Sequence, residues 1–396
     1  MKGNPRVFFI GLAVLVTLSL LFAACSDDLE SLPPTPTPTL PPIPSLPPLP
    51  AEMPAESQVT AFAPLPSEPA SAVTVALGKY LFFDMSLSGD RDSSCATCHM
   101  PDSAFADGRV LSLGYPGNLH FRNTPTLLNA AFQPLYYWDG RIGNDLPTVV
   151  RDHVSEAHVM NVDGRLIIER MKQKPQMVAL FDQAFGGEPT YGKVLNAVAA
   201  YVRTLVSSAS PYDNYLGGDA AALSAEAQAG LEVFEGKGGC TACHNGPRLA
   251  DGDFHSLGVA TNPEIFEDPF RHIVFRRFFR MHGMPNYKNL REDPGLYAMT
   301  QQDDDWGKFR TPSLREVDRT APYMHNGMLA TLEDVVEFYN QGGGEGRNKE
   351  SGLSPLNLSD AEKAGLAAFL VSLSSDPVPV DVPAEVISQI TRLGDN

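Results

Sequence analysis

Two pentapeptides, Cys95-Ala-Thr-Cys98-His99 and Cys240-Thr-Ala-Cys243-His244, carry the most readily assigned chemistry in this chain of 396 residues. In each, two thiols can form thioethers with haem vinyl groups, and the histidine that follows offers an imidazole to the iron. Cys-x-x-Cys pairs can also hold zinc, but zinc ribbons separate them by roughly 15–20 residues. Here 141 residues lie between Cys98 and Cys240, and a histidine follows both pairs. A dihaem c-type protein accounts for both features. Four of the five cysteines are thereby assigned, and only Cys25 is left.

Cys25 belongs to an export signal. Lys2 and Arg6 precede an apolar run from Val7 to Ala24 that ends in Phe22-Ala23-Ala24-Cys25. This pattern is expected to be a signal peptide, residues 1–25, whose lipobox-like cysteine becomes the lipidated first residue of the mature chain. Phe22 stands where leucine is usual, and an uncleaved anchor is the alternative, since the run nearly suffices to span a bilayer. Either route places the bulk of the chain outside the cytoplasm, in the periplasm or its equivalent, where c-type haem is attached. Residues 26–70 follow as a tether, with fourteen prolines between Ser31 and Ala70. As polyproline II this stretch would reach on the order of 100 Å. The formal charge of −17 argues against nucleic acid or an anionic membrane surface as partner.

The remainder is internally duplicated. Leu77-Gly-Lys-Tyr-Leu-Phe-Phe83 precedes the first haem motif and Gly230-Leu-Glu-Val-Phe234 the second. Ala106-Asp-Gly108 with Ser112-Leu-Gly114 is matched by Ala250-Asp-Gly252 with Ser256-Leu-Gly258. Thr124-Pro-Thr-Leu127 corresponds to Thr311-Pro-Ser-Leu314, and Tyr136-Tyr-Trp138-Asp-Gly140 to Tyr323-Met-His325-Asn-Gly327. The expected architecture is mainly α, with two tandem cytochrome c-like domains, residues 71–218 and 219–375, and a tail over 376–396. Helical periodicity runs from Pro189 to Ser208. A capping box, Ser359-Asp-Ala-Glu362, precedes an apolar segment from Ala364 to Leu373. Thr331 can cap a short helix ending near Gly342.

These segments, together with Arg122-Asn-Thr-Pro-Thr-Leu-Leu-Asn-Ala-Ala-Phe132, Trp138-Asp-Gly-Arg141 and Thr320-Ala-Pro-Tyr-Met-His325, resemble the bacterial dihaem cytochrome c peroxidase family, which includes MauG. The resemblance covers about Leu77 to Leu373. It implies an N-terminal peroxidatic haem, a C-terminal electron-transfer haem, and a tryptophan and a calcium ion between them. Trp138 matches that tryptophan. The calcium ligands map onto the Asn123 side chain and the backbone carbonyls of Thr320 and Pro322; such oxygen donors suit Ca²⁺.

At the axial positions the chain departs from the classical pattern. Classical members place a histidine eight residues before the asparagine equivalent to Asn123, and it blocks the peroxidatic iron until the enzyme is reduced. Tyr115 stands there instead, with His120 nearby. A neutral tyrosine is a poor ligand, so the first iron is expected to be five-coordinate through His99. At the second haem the peroxidases have a methionine fourteen residues after the equivalent of His325. That count lands on Tyr339, where MauG-like members place an iron-binding tyrosine; Met324 and Met328 are the fallback ligands. A phenolate favours the oxidised iron and a thioether the reduced one. The exchange suits storage of an oxidising equivalent better than collection of electrons.

Heterolysis of the O–O bond needs a group that removes a proton from one oxygen and returns it to the other. The family uses a glutamate about twenty residues beyond the tryptophan. No glutamate falls in that register: His158 is nearest by spacing, with Glu156 and His153 as alternatives, and histidine can do this work near neutral pH. Phe270 to Met284, where arginines interleave with phenylalanines, reads as a half-buried helix or loop, with a docking face or propionate clamp as the alternative. The functional expectation is a membrane-tethered dihaem peroxidase that reduces hydrogen peroxide, its electrons coming from a small redox protein or from a side chain of a protein substrate. The alternative is a non-enzymatic electron carrier or redox sensor.

Overall fold

In a computed structural model, residues 70–114 and 119–382 are described. The signal segment, Cys25, the tether, Tyr115 and the end of the tail lie outside them. The described residues belong to one compact unit, Ser45–Asn396. Among them the architecture is mainly helical, and no helix is long and apolar enough to cross a membrane.

Two crossed helix pairs carry most of the core. Helix α1, Ala72–Phe83, starts where the Ser71 hydroxyl accepts the Thr74 N–H, a standard way of satisfying an orphan donor of the first turn. Helices α2 (Leu146–Ser155), α3 (Gly164–Lys172) and α4 (Pro175–Phe185) follow. The predicted 189–208 segment forms α5, Tyr191–Val202, capped by Thr190 and ending earlier than its periodicity suggested. Leu77, Leu81 and Phe82 of α1 and Val194, Val198 and Tyr201 of α5 are buried in one cluster with Phe105. The second pair is α6, Ala225–Glu235, with α9, Asp360–Val371. Its cluster holds Leu231, Phe234, Leu366 and Phe369, the two phenylalanine rings 5.0 Å apart. The capping boxes at Ser359 and Thr331 form as expected; the latter starts α8, Leu332–Asn340.

Each pair crosses at a glycine in the duplicated segment. A Cβ on Gly230 would lie 1.8 Å from the Gly365 carbonyl oxygen, and one on Gly78 would lie 1.8 Å from that of Ala197. Backbones this close leave no room for any side chain.

A third cluster was not visible in the sequence. Residues 269–281 form α7, Pro269–Met281, with Asp268 accepting from the N–H groups of Phe270 and Arg271. Its Phe275, Phe278 and Phe279 are fully buried and pack on Phe121 from the first half of the chain. Helix α7 is thus half-buried, as its composition predicts: its inner face joins the halves while Phe270, Ile273 and Met281 stay exposed.

Two small antiparallel sheets frame the functional segments. In the first, Leu135–Tyr136 (β1) pairs with Ile142–Gly143 (β2), so residues 137–141 form the connecting bend that presents Trp138. In the second, Phe254–His255 (β3) pairs with Phe309–Arg310 (β4). Gly230→Ala is expected to destabilise the protein by about 1–3 kcal/mol through overpacking, measured as a lowered denaturation midpoint with both haems retained.

Candidate haem sites and the junction between them

The two Cys-x-x-Cys-His segments are built alike. At the first, Thr97 Oγ1 accepts the Ser94 N–H at 2.9 Å and the His99 N–H returns to Cys95 O at 2.9 Å, winding the motif into one helical turn. At the second, the His244 N–H bonds to Cys240 O at 2.8 Å. His99 Nδ1 then meets Phe105 O at 3.0 Å, and His244 Nδ1 meets Leu249 O at 2.9 Å. A carbonyl oxygen can only accept, so both Nδ1 atoms carry the proton and both Nε2 atoms keep a lone pair for a metal. Burial pushes the His99 imidazole down to about 4, so its neutral, metal-binding form prevails at pH 7. Burial also pushes the Cys95 and Cys98 thiols up to about 12, the reverse of what a redox-active Cys-x-x-Cys requires. Both sites therefore fit covalent haem.

Tyr339 lies near the thiols of the second motif. Burial first, and then the neighbouring Cys240 and Cys243, push its phenol well above the usual tyrosine value. Its hydroxyl has no hydrogen-bond partner among the described residues.

Trp138 and its duplicate, His325, meet. Their rings are 6.5 Å apart, edge to face, and His325 stacks on Phe309 at 3.7 Å. Asn123 joins them, its carbonyl accepting from Trp138 Nε1 at 3.0 Å and its N–H donating to His325 O at 2.8 Å. Asn123 Nδ2 donates to Arg109 O. Its Oδ1 and the backbone oxygens of Thr320 and Pro322 accept no hydrogen bond among the described residues, which leaves their lone pairs for other partners.

One ionic cluster fastens this junction. The Arg122 guanidinium, 3% exposed, grips Asp293 through Nε at 2.6 Å and Nη2 at 2.9 Å, and gives Nη1 to Asp139 at 2.6 Å. Asp139, fully buried, also accepts from Arg141 at 2.9 Å. Arg122 adjoins Asn123, and Asp139 adjoins Trp138.

Comparison with known proteins decides the lineage. Residues 72–221 match the Di-haem cytochrome c peroxidase family. The chain is 50% identical to cytochrome-c peroxidase IdrP2 of Denitromonas iodatirespirans over 328 residues, covering 82% of this chain and 88% of that protein. It is 34% identical to the methylamine utilization protein MauG of Methylorubrum extorquens, covering 80% and 82%. This chain belongs to the di-haem cytochrome c peroxidase family. A solved MauG-like protein associated with microbial copper homeostasis superposes with a TM-score of 0.69 at 28% identity, over 80% of this chain and 94% of that one. The chain is therefore an oxidoreductase of the peroxidase and MauG type. Membership implies two c-type haems, hydrogen peroxide as substrate and a redox protein as partner.

Three histidines follow the first motif in this peroxidase, His120, His153 and His158. His158 is 3% exposed, and its ring lies 5.5 Å from His120 and 6.2 Å from Phe278. Its Nδ1 is 3.4 Å from Glu156 Oε2 but makes no hydrogen bond, and burial holds the imidazole down to about 3. His120 Nδ1 accepts the Arg122 N–H. His153 is the histidine whose ring reaches His99, at 6.2 Å between centroids. Register counting had favoured His158; helix geometry turns His153 towards the first motif as well. Tyr115 lies outside the described residues. Its flanks are tied by a Leu113–Leu119 bridge and by Arg271, which donates to the carbonyls of Ser112, His120 and Leu111.

For Asp139, burial alone would raise the carboxyl, but the charges of Arg122 and Arg141 outweigh it and hold the group far below its ordinary value of 3.8. A depressed folded-state value means stability present above pH 4 and lost as pH falls. Asp139→Asn should therefore cost about 3–5 kcal/mol at pH 7, with the gap to the parent protein closing below about pH 4 in acid-denaturation curves.

Proposed function

We propose that this chain reduces hydrogen peroxide at the haem held by Cys95, Cys98 and His99. The haem on Cys240, Cys243 and His244 and the ring of Trp138 would carry oxidising equivalents between the first site and the electron source. Each half of residues 71–218 and 219–375 is taken as one haem domain. The observation that carries the reading is the seat of Trp138. It is bonded to Asn123, in ring contact with its duplicate His325, and anchored through Asp139 to a salt-bridge cluster drawn from both halves.

Bound haem supplies the redox-active iron on which peroxide is reduced. The chain's own residues do the rest. His99 and His244 present Nε2 because Phe105 and Leu249 hold their Nδ1 protons. Tyr339 would help hold the iron of the second haem, and ionising its phenol there would offset the burial that otherwise keeps it neutral. Asn123, Thr320 and Pro322 would hold calcium, close to where Trp138 meets His325. His158 and Glu156 line the same buried region as Arg141 and can hold or relay a proton. An extracytoplasmic location with a lipid anchor at Cys25 completes the proposal, placing the enzyme where c-type haem is attached. Tyr339 favours a MauG-like use of the oxidising equivalents on a protein side chain over turnover by a small donor alone.

Electron paramagnetic resonance of the oxidised holoprotein tests this directly. One high-spin and one low-spin ferric signal are expected, both lost on adding one equivalent of peroxide without prior reduction. Activity that appears only after half-reduction overturns the open first site. Tyr339→Phe is expected to alter the low-spin signal; an unchanged signal removes Tyr339 as a ligand.

A further inference from the structure

We infer that Arg248 and Arg310 form the binding site for the propionate carboxylates of the haem carried by Cys240, Cys243 and His244. The inference rests on the reading above that this motif holds a haem.

The two side chains come from segments that are bonded to each other. Ser313 Oγ donates to Arg248 O at 2.6 Å, and the Thr311 N–H donates to Asp253 O at 2.9 Å. Arg248 follows His244 closely in sequence and adjoins Leu249, whose carbonyl holds the His244 Nδ1 proton. Its Nη2 lies 3.5 Å from the place a Cβ on Gly252 would take, and Pro134 of the first half lies 3.6 Å from the same point. Arg310 is fastened to the bend that presents Trp138. Its N–H donates to Trp138 O at 2.9 Å and its Nε to Tyr137 O at 3.3 Å. One guanidinium thus starts from the second haem motif and the other from the relay bend.

Neither guanidinium is neutralised by a carboxylate among the described residues. Arg310 is 5% exposed, and Arg248 Nη1 is buried with no hydrogen-bond partner. Their other bonds go to neutral carbonyls, Arg248 Nη2 to Ala250 O at 3.2 Å and Arg310 Nη1 to Thr311 O at 3.3 Å. Asp251, whose charge Arg248 feels, is held by His255 Nε2 at 2.9 Å. Other buried arginines behave differently: Arg122 grips Asp139 and Asp293, and Arg315 takes Asp213 through both terminal nitrogens. A guanidinium keeps its charge at neutral pH, and burying it unpaired is costly. Here burial and the like charge of Arg248 both weigh against the Arg310 cation. Two such neighbours call for an anion, and the planar guanidinium fork matches a carboxylate. A haem on the second motif brings two carboxylates of its own. Arg310 would then link them to the backbone of Tyr137 and Trp138, and both cations would favour the reduced iron.

Spectroelectrochemical titration of the holoprotein, with the two haems told apart by their spin states, tests the assignment. Arg248→Gln and Arg310→Gln, with both haems attached, are each expected to lower the potential of the second haem. The oxidised-to-reduced ratio should shift about tenfold, which is 59 mV for one electron. Arg310→Lys should keep most of the parent potential, since the charge remains. Added sodium phosphate or acetate should leave the parent unmoved. Unshifted potentials in both glutamine variants overturn the inference, as does a shift confined to the first haem. Arg310→Lys behaving no better than Arg310→Gln overturns it too, because charge would not be what acts. A parent potential that moves with added phosphate or acetate assigns the site to a free anion and overturns it. The lysine variant and the anion titration still decide if a glutamine variant fails to fold. A parent protein with haem on the first motif alone overturns the haem reading itself.

Discussion

The salt-bridge cluster around Arg122 is the constraint on which the rest of the site depends. Three charged groups, Arg122, Asp139 and Asp293, lie almost wholly out of water, where an unpaired charge would cost several kcal/mol. They are tolerated because each finds its partners at hydrogen-bonding distance. In satisfying one another they fix three things at once: the segment bearing Asn123, the bend bearing Trp138, and a segment of the second half. The Arg122–Asp293 pair spans 171 residues of sequence. Trp138 is therefore positioned by electrostatics at its base and by a hydrogen bond at its indole nitrogen.

Duplication explains the surrounding frame. Each half has a helix pair that crosses at a glycine, and each Cys-x-x-Cys-His segment ties its histidine to a carbonyl five or six residues downstream. The copies diverge where function needs a difference. The tryptophan of one is the histidine of the other, and the two now pack together. Helix α7 belongs to the second half alone and buries three phenylalanines against Phe121 of the first.

Much of this was legible beforehand. The motifs, the mainly helical class, the capping boxes at Ser359 and Thr331 and the family were all read from short segments, because each depends on residues near one another in the chain. The role of Gly78 and Gly230 was not legible, although both lie in segments singled out as repeats. Nothing in a single strand of sequence says which backbone will pass within touching distance. Helix α7 is legible as a half-buried segment, but its packing on Phe121 and the bonds of Arg271 to backbone carbonyls are not, for the same reason.

The histidines around the first motif mark the boundary most clearly. Sequence alone supplied the two Cys-x-x-Cys-His motifs, the expectation of two haems that family membership implies, and the observation that no glutamate stands in the usual register. Those conclusions rest on covalent chemistry and spacing, which are local. Sequence spacing points to His158, with Glu156 and His153 as alternatives, and counting residues from Trp138 does not show which side chains meet which neighbours. Only the tertiary structure decided that the His153 ring meets His99, stacks on Tyr137 and keeps Nε2 free, since that depends on which face of the helix the core buries. Attachment is written along the chain; the environment of the iron is assembled across it.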